Sequence, residues 1–315
     1  MMEIIGIDLG SNSLRGVRMQ VCEKEFQKEF AVLQEYDTTV RTAEGLEDSG
    51  EICEAAKERI IQGLLEMKCA LDITPQQEVV ALTTQAMRKA RNRERILQEI
   101  WERTQIQFRV ISGEQEAQIT SLAPKIAVQR IARENPKYKQ DCFLLVDMGG
   151  ASSEFVLCGE NGNLARSFDI GIVSAKERYG SVEKLLAQRE EFLKPILSFM
   201  QECCQKGRKA RFMMANSGTP TMVCAFKLGL IEYNARVIFG TELTREDFSV
   251  ELAKFLALSQ ESQVGLVGMY KADVVPFGIA LFTCFMEALG FQECLVVDEG
   301  LREGAVIAHT LGLLD

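Results

Sequence analysis

Histidine is nearly absent from this chain: His309 is the only one in 315 residues. A three-histidine zinc site, or a histidine-aspartate metal phosphohydrolase domain, cannot be assembled within one copy. Basic residues are also short, with 36 Lys and Arg against 45 Asp and Glu and a formal net charge of -9. That balance excludes a broad basic face for nucleic acid while leaving room for a local anion site. Ten cysteines contain no CxxC pair, and adjacent Cys203 and Cys204 have no nearby Cys/His set to complete a metal site. No secretory pattern opens Met1–Leu9, so the thiols read as reduced and cytosolic, and the expected location is the cytoplasm. The apolar run Val274–Met286 has 13 residues, short of the roughly 20 that span a bilayer. No membrane partner is expected.

What is present is the composition of a soluble globular protein, 47% hydrophobic and 26% charged, long enough for one large domain or two medium ones. Near the start, I4-I5-G6-I7-D8-L9-G10-S11-N12-S13 is an apolar strand opening into an Asp-x-Gly-Ser turn. The pattern returns as L144-L145-V146-D147-M148-G149-G150-A151-S152-S153, 139 residues later. Repetition at that distance indicates duplicated domains rather than a solenoid. Both copies continue apolar, so each loop reads as the turn of a β-hairpin in a mixed sheet and not as a dinucleotide fingerprint. Amide N–H groups and Ser hydroxyls in such a turn can converge on phosphate oxygens. Asp8 and Asp147 then need donors or a divalent cation, and Mg²⁺ held by one or two carboxylates plus substrate phosphates meets that need.

The rest of the first half fits an α/β domain. Strands are expected at Val79–Thr84 and Phe108–Ile111, with a helix opening at Ala86–Ala90 and another running from Glu114 to about Val128. In the second half, a helix is expected over Lys194–Cys204 with Pro195 in its first turn, and strands over Arg211–Ala215 and Leu295–Asp298. Thr219-Pro220 either ends a loop or begins a helix. Glu183, Lys184, Arg189, Glu190 and Glu191 belong on solvated helix faces. A terminal helix over Arg302–Leu313 returns to the first domain. The expected division is 1–125, 126–300 and 301–315.

The motifs I7-D8-L9-G10-S11-N12-S13, T84-Q85-A86-M87-R88-K89-A90-R91-N92, I111-S112-G113-E114-Q115-E116-A117, V146-D147-M148-G149-G150-A151-S152-S153-E154, S217-G218-T219 and D298-E299-G300-L301-R302-E303-G304 resemble the exopolyphosphatase and guanosine pentaphosphate phosphohydrolase family. They span nearly the whole chain in family order. The resemblance implies two actin-like, ribonuclease-H-like α/β domains around an interdomain cleft. It also implies Mg²⁺-dependent release of terminal phosphate from inorganic polyphosphate or a guanosine pentaphosphate-type nucleotide. With one histidine and an end at Asp315, the chain is similar to the short two-domain form, which lacks the added histidine-aspartate helical domain.

By that resemblance the catalytic glutamate is Glu116, which orients and deprotonates the attacking water. Glu114 is the runner-up base, and two residues apart on a helix the two would face different directions. Phosphate falls against Gly10, Ser11, Asn12, Ser13, Gly149, Gly150, Ala151, Ser152 and Ser153, with Arg88 and, in V40-R41-T42-A43-E44-G45-L46, Arg41 as added contacts. Asp147 and Glu154 are the metal candidates, and Asp8 is the second choice. Four positions depart from the family pattern: Gln115 for an acid, Ala151 for glycine, Asn216 for threonine and Lys271 for arginine. Together they point to altered specificity, slow turnover or a chain kept for binding. A kinase of the same fold is weaker because no acceptor site is marked. The main alternative is a phosphate or alarmone sensor of low or no activity. Polyphosphate against nucleotide preference, and a homodimer against other states, stay open.

Overall fold

In the computed structural model, the structure describes residues 2–24, 27–139, 142–159, 162–269 and 271–314. The chain forms an α/β fold with two mixed sheets, divided into two compact units: Met1–Ala123 with Gly300–Asp315, and Pro124–Glu299. Each is described by itself.

Unit 1 holds β1 (Met2–Leu9), β2 (Ser13–Lys24), β3 (Gln27–Thr39), β4 (Glu78–Thr83) and β5 (Phe108–Val110), in the order β3-β2-β1-β4-β5. β1 runs antiparallel to β2 and parallel to β4. A central strand covered on both faces needs apolar side chains on both, which is why Ile4, Ile5 and Ile7 are consecutive or nearly so and fully buried. The core joins Ile4, Val17, Leu82, Ile111 and Ile119 to Leu301, Ala305 and Val306 of the terminal helix Leu301–Thr310.

Two close approaches seat that helix. A Cβ on Gly6 would stand 2.1 Å from the Arg302 carbonyl oxygen, and one on Gly304 would stand 2.2 Å from that of Ile119. Only glycine lets the backbones approach so nearly. Arg302 is 5% exposed and is held by Glu35 and Glu303, each at 2.6 Å, while Glu303 accepts from the Gly300 N–H.

Unit 2 holds β6 (Cys142–Met148), β7 (Ser153–Gly159), β8 (Leu164–Phe168), β9 (Met213–Ala215), β10 (Thr241–Thr244) and β11 (Glu293–Val296). Its order, β8-β7-β6-β9-β11-β10, repeats that of unit 1 with one edge strand added. Phe155, Phe248, Phe282 and Phe285 lie fully buried in its core. The apolar run at Val274–Met286 is part of the helix Val275–Leu289 in that core. Among the described residues no helix is long and apolar enough to cross a membrane.

Several boundaries differ from the sequence expectation. The single helix expected over 114–128 is two, Gly113–Thr120 and Leu122–Glu134. Pro124 has no N–H to give the Thr120 carbonyl, so the first helix closes at Ser121. Pro195 lies inside a helix that begins at Arg189 and runs to Gln205, not in the first turn of one beginning near Lys194. The strand expected at Arg211 starts at Met213, and the one expected over Leu295–Asp298 is Glu293–Val296. The terminal helix ends at Thr310 rather than Leu313. Thr219-Pro220 begins the helix Gly218–Lys227, and the charged residues between Glu183 and Glu191 are exposed.

Candidate functional site

The two Asp-Gly turns have the same construction. In unit 1, Leu9 pairs with Leu14 and the Gly10 N–H donates to the Ser13 carbonyl at 3.0 Å. In unit 2, Met148 pairs with Ser153 and the Gly149 N–H donates to the Ser152 carbonyl at 2.9 Å. Among the described residues, no acceptor engages the amides of Ser11 and Asn12, nor those of Gly150, Ala151 and Ser152. Such grouped, uncommitted N–H groups form a concavity for an anion.

The carbonyls of these turns, by contrast, are engaged. Asn12 accepts from the N–H groups of Val40 and Arg41, and Ser11 from that of Ala43, all at 2.9 Å. The segment that delivers them is bent through Arg41, whose φ of 49° lies in the left-handed region. The Arg41 side chain lies 3.7 Å from Glu44. Thr42, which sequence reasoning passed over, is fully buried and its hydroxyl has no partner among the described residues. In unit 2, Gly149 accepts from Ile172, Gly150 from Val173 and Ser174, and Ala151 from the Ser174 hydroxyl. Gly171 makes this possible: a Cβ there would stand 2.5 Å from the Gly149 oxygen. Neither Gly171 nor Ser174 carries a sequence signal beyond a glycine and a serine at a helix start.

Glu116 lies in the first turns of the helix Gly113–Thr120 and is 7% exposed, whereas Glu114 is exposed. Its Oε2 accepts from Arg88 Nη1 at 2.7 Å, and the same nitrogen donates to the Ile111 carbonyl at 2.7 Å. Arg88 sits on the short helix Gln85–Lys89 directly after β4, with its side chain 21% exposed. Gln115 faces outward and closes a capping box: its Oε1 accepts from the Ser112 N–H, and Ser112 Oγ accepts from the Gln115 N–H. Gln and Glu serve that cap equally, so this departure leaves Glu116 undisturbed.

Asp8 is half-buried on β1 opposite Arg15, which pairs with Asp37 at 2.9 Å. Asp147 is half-buried on β6 opposite Glu154 of β7, so the two carboxylates share one face of the sheet. Glu154 is 1% exposed and accepts from the Ser167 hydroxyl at 2.6 Å. Ser153 is fully buried and its hydroxyl donates to the Ile170 carbonyl, a bracing role within the turn. Asn216 Nδ2 donates to the Glu299 carbonyl, while Asn216 Oδ1 and the Ser217 hydroxyl are buried without partners among the described residues. Unit 1 therefore holds two groups, the turn with the segment of Arg41 and the pair of Arg88 with Glu116, and unit 2 holds its turn with Asp147 and Glu154 on the strands that it joins.

Comparison with known proteins gives the family and the fold. The sequence model of the Ppx/GppA phosphatase family matches residues 21–312. The chain belongs to the Ppx/GppA phosphatase family. A family member from Aquifex aeolicus is 24% identical, with a TM-score of 0.68 over 100% of this chain and 99% of that one. An exopolyphosphatase from Cytophaga hutchinsonii is 21% identical, with a TM-score of 0.79 over 99% of each chain. Both share the fold. A bifunctional 3-dehydroquinate synthase/phosphatase of Fusobacterium nucleatum subsp. nucleatum is 23% identical over 313 residues, 96% of this chain. The chain spans 46% of that curated relative's length.

Two other departures from the Ppx/GppA pattern also have a local account. Ala151 is 6% exposed and has no positive φ, so its backbone makes no demand for glycine. Asn216 uses its amide to hold the Glu299 backbone, a donation that a threonine hydroxyl of shorter reach makes less readily. Nothing in the structure explains lysine at position 271. Among the described residues no group of three His, Cys, Asp or Glu side chains could hold a metal ion. The paired Asp147 and Glu154 do fit Mg²⁺, which commonly takes one or two carboxylates and completes its shell with water and substrate phosphates.

Proposed function

We propose that this protein is a phosphohydrolase that releases terminal phosphate from inorganic polyphosphate or a guanosine pentaphosphate-type nucleotide. The observation that carries the reading is a buried carboxylate, Glu116, fixed by Arg88 in a unit whose hairpin turn offers uncommitted amides. The two units are read as actin-like domains, supported by their common strand order of two antiparallel hairpins leading into a parallel pair.

Glu116 accepts a proton from water as the water oxygen bonds to the terminal phosphorus. The phosphoanhydride P–O bond breaks, and its electron pair leaves with the shortened chain. Within unit 1 the amides of Ser11 and Asn12, and within unit 2 those of Gly150, Ala151 and Ser152, are each offered to phosphate oxygens, where they offset negative charge. Arg88 and Arg41 add charge to the turn of unit 1, while Ser153 and Ser174 keep that of unit 2 in shape. Asp147 and Glu154 would hold Mg²⁺, with Asp8 as the alternative holder. When bound, the ion neutralises phosphate charge and orients the chain end. The reaction is placed in the cytoplasm.

Purified protein assayed for Mg²⁺-dependent phosphate release against polyphosphates of several lengths and guanosine pentaphosphate, beside Glu116→Ala, tests the proposal. Turnover lost in the variant supports it and selects the substrate. Binding without turnover, unchanged by the substitution, overturns it in favour of a phosphate or alarmone sensor.

A further inference from the structure

β3 is an end strand of the unit 1 sheet, and among the described residues no strand lies on its outer side. It is 13 residues long, about twice the usual length. An open edge of that kind presents a row of N–H and C=O groups that another strand can pair with. At its middle, Ala31, Val32 and Leu33 are exposed in succession, Val32 by 40% and Leu33 by 45%. Charges of opposite sign flank the apolar stretch, Lys28 before it and Asp37 after it, and both are exposed.

A bulge governs how this edge can be paired. Met19 of β2 faces Val32 and Arg18 faces Gln34, so Leu33 is the extra residue and the alternation of side chains reverses across it. Before the bulge, even positions face the terminal helix: Lys28 donates to the Thr310 carbonyl and Phe30 packs on the core that holds Leu301 and Ala305. After it, odd positions do: Glu35 accepts from Arg302, while Tyr36 turns the other way, to Glu66 of the helix Glu54–Ala70. Directly opposed residues of two antiparallel strands share a face. Two copies of β3 centred on Val32 and Leu33 meet that condition from Lys28 to Asp37, because residues before one bulge oppose residues after the other. We propose that β3 is a dimerisation edge, to which a second copy of this chain adds its own β3 antiparallel, joining two five-stranded sheets into one. Lys28 then lies across from Asp37 at both ends of a seam about 33 Å long. Between them Glu29 meets Tyr36, Phe30 meets Glu35, Ala31 meets Gln34 and Val32 meets Leu33, with no like charges opposed. The charges that discourage other strands at this edge thus favour its own copy.

Sedimentation velocity of the full chain, from about 1 to about 100 μM, tests the proposal, since a seam of this size suits a reversible dimer with Kd on the order of micromolar. Val32→Lys, Lys28→Glu and Asp37→Lys are run beside the unmodified protein, with thermal melts confirming that each folds. The unmodified protein should pass from monomer to dimer over that range. Val32→Lys sets two ammonium groups close to the axis and should weaken association about tenfold or more. Lys28→Glu alone opposes acid to Asp37, and Asp37→Lys alone opposes base to Lys28, so each should lose self-association to a similar extent. Mixed in equal amounts, these two variants bring opposite charges together at both ends and should recover the dimer. A monomer throughout overturns the proposal, as does a dimer of undiminished strength in Val32→Lys, or a mixture that stays monomeric while the unmodified protein associates. Asp37 also holds Arg15 within its own chain; should Asp37→Lys not fold, Val32→Lys decides alone.

Discussion

Adding one methyl group at Gly304 should weaken the protein, although it replaces glycine with the best helix former. The new Cβ would stand 2.2 Å from the Ile119 carbonyl oxygen and 2.9 Å from its carbon, where real Cβ atoms essentially never come within 3.0 Å. Both neighbours are backbone, so the helices Leu301–Thr310 and Gly113–Thr120 must part by about 0.8 Å or more. Forced overpacking of this kind costs about 1–3 kcal/mol, and the helix-propensity gain returns at most about 1 kcal/mol. The net loss of about 1–2 kcal/mol corresponds to a fall of about 4–8 °C in melting temperature for a unit of this size. Trp101, the only tryptophan, lies in unit 1 and reports its unfolding by fluorescence. Gly265→Ala is the control: Gly265 is helical, exposed and has nothing within 4 Å of a new Cβ. It should stabilise by about 0.5–1 kcal/mol, read by far-UV circular dichroism. A Gly304→Ala protein as stable as its parent would refute the close packing that seats the terminal helix against the helix of Glu116.

Gly171→Ala should disturb the turn of unit 2, because its Cβ would stand 2.5 Å from the Gly149 oxygen and 2.6 Å from the Gly150 carbon; tripolyphosphate affinity measured by calorimetry should drop, and an unchanged value counts against that turn as a phosphate contact. Glu242 has its carboxyl held below the usual range by hydrogen bonds from Tyr138 and then Lys137, against desolvation. Its folded value is the lower one, so the stabilisation is present above about pH 4.5 and is lost as pH falls through the folded value. Tyr138→Phe should therefore lower urea stability at pH 7 and flatten its decline in acid, while a parallel acid decline in both proteins would contradict the assignment. Burial pushes the Cys158 thiol up to about 12 and that of Cys284 to about 11. Native protein should react rapidly with a thiol reagent at Cys53, Cys69 and Cys204, the exposed thiols, and at Cys158 and Cys284 only after unfolding; mass spectrometry of the labelled peptides decides.

Both hairpins were legible because each is announced locally, by an apolar run, a turn of glycine and serine, and a second apolar run. The apolar run Val274–Met286 was legible as too short for a bilayer, while its helical form as Val275–Leu289 was not assigned from the sequence. Helix ends were not, since Pro124 and Pro195 act oppositely: one coincides with a helix break and the other is carried in a helix interior. Tertiary packing decides which. At the candidate site, helix geometry alone set Glu114 and Glu116 in different directions, but which of them is buried, and the tie of Glu116 to Arg88, depend on β4 bringing residues 28 apart together. The bracing of the turns by residues 40–43 and by Gly171 and Ser174 was hidden for the same reason. Backbone-to-backbone contacts leave little mark on side-chain identity.

The most direct test of the central claim is hydrolysis of tripolyphosphate in ¹⁸O-labelled water with Mg²⁺, followed by mass analysis of the released orthophosphate. Water attack assisted by Glu116 predicts labelled orthophosphate from the unmodified protein and a loss of about a hundredfold or more in its rate of formation with Glu116→Gln, at similar tripolyphosphate affinity. Glu114→Gln, altering an exposed carboxylate, should lose far less. Unlabelled orthophosphate, or full turnover in Glu116→Gln, would contradict the account.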